Sequence, residues 1–175
     1  MNEKITKKPI PPGLQSIFAW CGGSLGLVLR KKFFPSIFGS CGKNVIFGRF
    51  LKIHQPKNIS IGDRTVISDC SVLDARDFNG EGYGIRLADQ VFIGNDTSLV
   101  CKGGEIFIDS GANIGSRCRL SSTLGLHIGE NTLLAAYCSI GTQTNAESTS
   151  MTKANGRSQL DKHTSIGKGC WLGVR

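Results

Sequence analysis

The sequence predicts an all-β chain wound into a three-sided prism of stacked parallel strands, with a helical segment at its N-terminal end. Three observations predict it. Aliphatic residues recur at every sixth position, extra residues enter only after every third hexapeptide, and the composition is turn-rich, with 23 glycines in 175 residues and only 7% aromatics. Such a composition disfavours a helical bundle and does not match disorder. The length suits one domain.

The N-terminal segment, residues 1–40, comes first. Residues 1–50 carry eight basic side chains and one acid, so most of the formal charge of +8 lies there. A basic arm can meet nucleic acid, a membrane surface or an anionic substrate, and charge alone does not choose. The stretch "GLQSIFAWCGGSLGLVL", Gly13 to Leu29, is uncharged and followed by "RKK". It is short and glycine-interrupted for a membrane span. Residues 13–34 are therefore expected to form a helix that packs on the domain or lies at a membrane interface.

The coil follows, from residue 41 to residue 175. A first turn reads Cys41, Phe47, Ile53, joined to the next by a short insertion around Pro56. Thereafter the anchors run Ile61, Ile67, Leu73; Leu87, Ile93, Leu99; Ile108, Ile114, Leu120; Ile128, Leu134, Ile140; and Ile166, Leu172. A strand alternates with period two and a helix recurs at three and four, so neither accounts for a period of six. Short strands that turn at fixed intervals do, each anchor pointing inward above its equivalent in the coil below.

Seven anchors are followed directly by glycine, as a turn needing positive φ would prefer. Four residues after the anchor the side chain is usually small, as at Thr65, Ser71, Thr97, Ala112, Cys118, Thr132, Cys138, Thr144 and Cys170, with Asp77 and Leu124 as the clear exceptions. Cys118 and Cys138 are expected to stack inside the prism. The extra residues between triplets number two, eight, three, two and twenty, so all insertions leave from one vertex. The largest, residues 142–165, separates one "SIG" at Ile140 from another at Ile166. Loops of that length inside a compact domain are disproportionately functional. The last hexapeptide stops after four residues, "LGVR", so the coil is expected to be truncated there.

The seven cysteines are odd in number, lack any CxxC pair and follow no cleavable signal peptide. Reduced thiols in a cytoplasmic protein fit that pattern best.

The hexapeptides "IGDRTV", "IGNDTS", "IGSRCR" and "IGENTL" resemble those of the hexapeptide-repeat acyltransferases, over roughly residues 41–175. Within that family "LLAAYCSIGTQTN", the long loop and "IGKGCWLG" look like the maltose, xenobiotic and polysaccharide O-acetyltransferase branch. The resemblance implies a left-handed parallel β-helix, a homotrimer, and acetyl transfer from acetyl-CoA, bound between neighbouring prisms, to a hydroxyl of a sugar or polysaccharide precursor. It implies no metal cofactor and no nucleic-acid partner. In that branch a histidine opening the loop is the base; here Asn145 stands in its place, and an amide cannot accept a hydroxyl proton as imidazole does. Asn145 is therefore assigned to substrate binding.

At the far end of the loop Asp161, Lys162 and His163 resemble the Asp-Arg-His-Pro element of serine acetyltransferases, with Thr164 in place of the proline. His163 and His127 both approach the insertion vertex and are the candidate catalytic bases; Asp161 joins Asn145 as a candidate substrate ligand. Trp171 and Gly173, in "CWLG", resemble the wall beside the donor groove. His54 lies far down the stack and is read as structural or exposed. Two other readings stand beside the enzyme: a trimeric β-helix that binds a partner without catalysis, and a serine-acetyltransferase-like activity. The spacing of the three histidines argues against a zinc carbonic anhydrase on the same coil, and the irregular outward residues against an ice-binding array.

Overall fold

The computed structural model describes residues 22–141 and 163–174. Three parallel sheets form the faces of a prism. The first face stacks β1 (Ser40–Cys41), β4 (Ile59–Ile61), β7 (Ile85–Leu87), β10 (Ile106–Ile108), β13 (Leu126–Ile128) and β16 (Thr164–Ile166). The second stacks β2 (Ile46–Phe47), β5 (Val66–Ile67), β8 (Phe92–Ile93), β11 (Asn113–Ile114), β14 (Leu133–Leu134) and β17 (Trp171–Leu172). β3 (Lys52–His54), β6 (Val72–Asp74), β9 (Ser98–Cys101), β12 (Arg119–Ser122) and β15 (Ser139–Gly141) make the third.

The register between coils is the one the six-residue period requires. Phe47 aligns with Ile67, Ile67 with Ile93, Ile93 with Ile114, and Ile114 with Leu134. The anchors from Ile61 to Leu134 are buried, and Ile140, Ile166 and Leu172 pack against them at the upper end. On the first face a second inward column, Ile59, Ile85, Ile106 and Leu126, lies two residues before the anchors. Every insertion leaves between the third face and the first. The longest is no exception, since β16 pairs directly with β13, aligning Ile166 with Ile128.

The small residues at the fourth place do more than fit a corner. Thr65 Oγ1 donates to the carbonyl of Ala88, Ser71 Oγ to Gly94, Thr97 Oγ1 to Gly115 and Thr132 Oγ1 to Gly167, at 2.7–3.0 Å. Cys118 Sγ and Cys138 Sγ make the same upward contact, to Ala135 and Gly173. Each buried hydroxyl or thiol thus ties its coil to the next, which satisfies a polar group that burial would otherwise penalise. Cys118 and Cys138 occupy neighbouring coils as expected, and both are buried free thiols.

The reason for glycine after the anchor is corrected. Positive φ falls two residues later, at Arg64, Cys70, Gln90, Asp96, Gly111, Arg117, Asn131, Tyr137 and Gly169. Glycine after the anchor instead answers close approach: a Cβ on Gly94 would lie 2.6 Å from the carbonyl carbon of Gly115, and one on Gly115 2.7 Å from that of Ala135. Ser68, Ala88, Asp109 and Ala135 hold the same place in other hexapeptides, so the requirement is local.

The lower end of the prism is closed by a feature the periodicity does not reveal. Helix α1 (Gly23–Phe33) and a 3-10 turn, Phe34–Ser36, precede β1. Phe38 stacks on Phe47 at 5.5 Å between ring centroids, and Phe34 meets the same ring tilted, at 5.4 Å. Among the described residues no helix is long and apolar enough to cross a membrane.

Burial also sets an alkaline limit. Desolvation pushes the Cys101 thiol up to about 12, from its ordinary 9.0. Between those values the unfolded chain releases a proton that the folded chain retains, so the stability this thiol contributes is constant below pH 9 and falls above it. The expected loss from this thiol is about 1.4 kcal/mol per pH unit. Urea unfolding at successive pH values checks it: Cys101→Ala is expected to be flatter than the wild type between pH 9 and 11, whatever its stability at neutral pH.

Candidate functional site

The upper coils bring the two candidate bases to one face. His127 is the outward residue of β13, and His163 immediately precedes β16, the strand stacked on it. In register, His127 aligns with Ser165, which places His163 over Gly125. One strand spacing and two residues along the strand put the two histidine Cα atoms roughly 8 Å apart.

His163 is exposed and rests on bare backbone. A Cβ on Gly125 would fall 1.9 Å from His163 Nδ1 and 2.5 Å from Cε1, and Gly125 itself has φ of +140°. The amide of Thr164 donates to the Gly125 carbonyl at 3.0 Å, which fixes the backbone beside the imidazole. Gly125 is therefore a positioning residue that the sequence reading does not pick out. Its only signal is a glycine facing a histidine one coil up, and that is invisible until the register is known.

His127 belongs to a column of outward side chains on the first face, Arg86, Phe107 and His127 in register. The Arg86 guanidinium lies 4.6 Å from the Phe107 ring centroid, and Phe107 stacks on the imidazole at 5.1 Å with 7° between planes. His127 Nε2 is 3.4 Å from Asp109 Oδ2, and Arg86 pairs with Glu105 at 3.3 Å. Stacking fixes the plane of the ring and the carboxylate selects which nitrogen faces it. Such an arrangement can accept or hold a proton at an exposed face. Asp109 and Phe107 are further residues that sequence reading misses.

Trp171 and Gly173 are not brought to these histidines. Trp171 is the outward residue of β17 on the second face, 75% exposed, and the Gly173 carbonyl accepts from Cys138 Sγ. In register below Trp171 run Leu133, Asn113, Phe92, Val66 and Ile46, an apolar stripe broken only by Asn113. His54 lies in the first coil, aligned with Asp74, far from the upper site as expected. Asn145 and Asp161 lie outside the described residues. No group of three or more histidine, cysteine, aspartate or glutamate side chains is placed to hold a metal ion among the described residues.

No protein-family model matches the chain, and no curated protein sequence does. Solved structures do. A hexapeptide-repeat-containing acetyltransferase from Vibrio cholerae O1 biovar eltor, complexed with acetyl coenzyme A, is 17% identical, with a TM-score of 0.56 over 74% of this chain and 75% of that one. A second structure of the Vibrio cholerae acetyltransferase is 20% identical, with a TM-score of 0.54 over 74% of this chain and 78% of that one. The fold is the left-handed parallel β-helix shared with these neighbours.

Proposed function

We propose that the chain is an acyl-CoA-dependent O-acyltransferase that moves an acetyl group from acetyl-CoA to a hydroxyl of a sugar or polysaccharide precursor. The observation that carries this reading is the convergence of His163 and His127 on one exposed face of adjacent coils, beside the vertex from which the long insertion leaves. The likeness to an acetyltransferase solved with acetyl-CoA supports the donor.

In this reading His163 takes the proton of the acceptor hydroxyl as its oxygen attacks the thioester carbonyl. Backbone N–H groups of the upper coils steady the oxyanion of the tetrahedral intermediate. The carbon–sulfur bond then breaks, and the imidazolium returns its proton to the departing CoA thiolate. His127, held by Phe107 and Asp109, orients the acceptor from one coil below. Trp171 borders the donor on the neighbouring face, and Asn145 and Asp161 contact the acceptor. The apolar stripe on the second face favours self-association, consistent with a homotrimer in which a partner's face completes the donor groove.

Acceptor-dependent release of the CoA thiol, measured at millimolar acetyl-CoA with a panel of mono- and oligosaccharides, tests the reading. Acetyl ester on the acceptor, identified by mass, is the expected product. Binding of acetyl-CoA with no transfer to any hydroxyl would instead favour the non-catalytic scaffold, the reading supported by an amide at position 145 where the resembled branch has its base.

A further inference from the structure

We infer that helix α1 docks the protein on an anionic lipid surface. A helix on a water-soluble domain ordinarily turns apolar residues inward and charges outward. α1 does the reverse. Arg30 is only 3% exposed, and its Nε donates to the Phe47 carbonyl at 2.9 Å, while Gly26 is the other residue the helix buries. Leu25, Val28 and Leu27 face outward, 65%, 58% and 42% exposed. Leu27 also borders an open groove with Ile46, Arg49 and Asp69 at the lower edge of the second face.

Charge identifies what meets this surface. Lys31 and Lys32 lie in the last turn of the helix and are exposed, each four residues, about one helical turn, after Leu27 and Val28 respectively. Residues 22–57 hold seven basic side chains and no acidic one, of which Arg30 is buried and Arg49 pairs with Asp69 at 2.8 Å, so the outward charge beside the helix is that of Lys31, Lys32 and Lys43. A second copy meeting α1 through the same helix would set Lys31 and Lys32 against their own equivalents, and the homotrimer proposed above is built on the second face and does not call on α1. Nucleic acid would answer the charge but leave the leucines and valine in water. An anionic lipid surface answers both: the apolar side chains enter the headgroup boundary and the lysines lie over phosphates. This inference is independent of acyl transfer, because α1 sits at the first coil and His163 at the last. Five strand spacings, roughly 24 Å, separate β1 from β16.

Sedimentation of the full chain with vesicles tests it. Binding is expected to vesicles of equal parts phosphatidylcholine and phosphatidylglycerol, weak binding to phosphatidylcholine alone, and a decline as salt is raised. Leu25→Glu with Val28→Glu is expected to lower the partition about tenfold or more, and Lys31→Glu with Lys32→Glu comparably. All four side chains are exposed, so the thermal midpoints are expected to stay near that of the wild type. Four results would overturn the inference: no binding to the anionic vesicles; vesicle binding that both double variants retain; an oligomer that dissociates in the Leu25/Val28 variant while lipid binding persists; or equal affinity for a DNA duplex that the Leu25/Val28 variant leaves unchanged.

Discussion

Replacement of His163 by alanine is expected to lower the rate of acetyl transfer by about two to four orders of magnitude, the range that a positioned general base contributes. The loss belongs in kcat, because the imidazole acts on the hydroxyl proton in the transition state more than on either bound substrate. Steady-state kinetics with acetyl-CoA and the best acceptor read it directly. Gly125→Ala separates the base from its placement. The added methyl group takes the space of His163 Nδ1 and strains a backbone at φ of +140°, so that variant is expected to lose kcat while keeping donor affinity. His127→Ala is expected to act mainly on acceptor KM, since that ring is stacked on Phe107 and turned to Asp109. Wild-type turnover in His163→Ala removes the proposed base outright.

Ile114→Ala is expected to cost about 2–5 kcal/mol of folding stability, the range for truncating a fully buried aliphatic side chain. Ile114 is sealed from solvent and aligned with Ile93 below and Leu134 above, so the cavity has neighbours on two sides and no loop to collapse into it. Asn113, next to it in β11, points outward; Asn113→Ala is expected to stay within about 0.5 kcal/mol of wild type. Urea unfolding of the two variants checks the contrast. Equal effects would mean that the anchor column is not what holds the coils together.

The coil was legible in the sequence because its cause is steric and repeats. An inward aliphatic at every sixth position and a small residue at most corners recur turn after turn, so chance departures stand out. Other parts required contacts that no local pattern carries. Phe34 and Phe38 close the bottom of the prism, but nothing near them says which ring they will meet. Asp109 reaches His127 across eighteen residues of sequence, and only the register of adjacent coils joins them. Glycine after the anchor was visible, but its reason was not, because the collision it avoids is with the next coil rather than with its own backbone.

Confining every insertion to the edge between the third and first faces has a practical outcome. Entropy charges lightly for extra length in a tether whose two ends are already pinned, about 0.6 kcal/mol for each doubling. That edge can therefore host a spliced peptide tag or a whole foreign module with little harm to the barrel of side chains beneath it, whereas the two other edges, turned by four-residue corners tied to the coil above, have no slack to give.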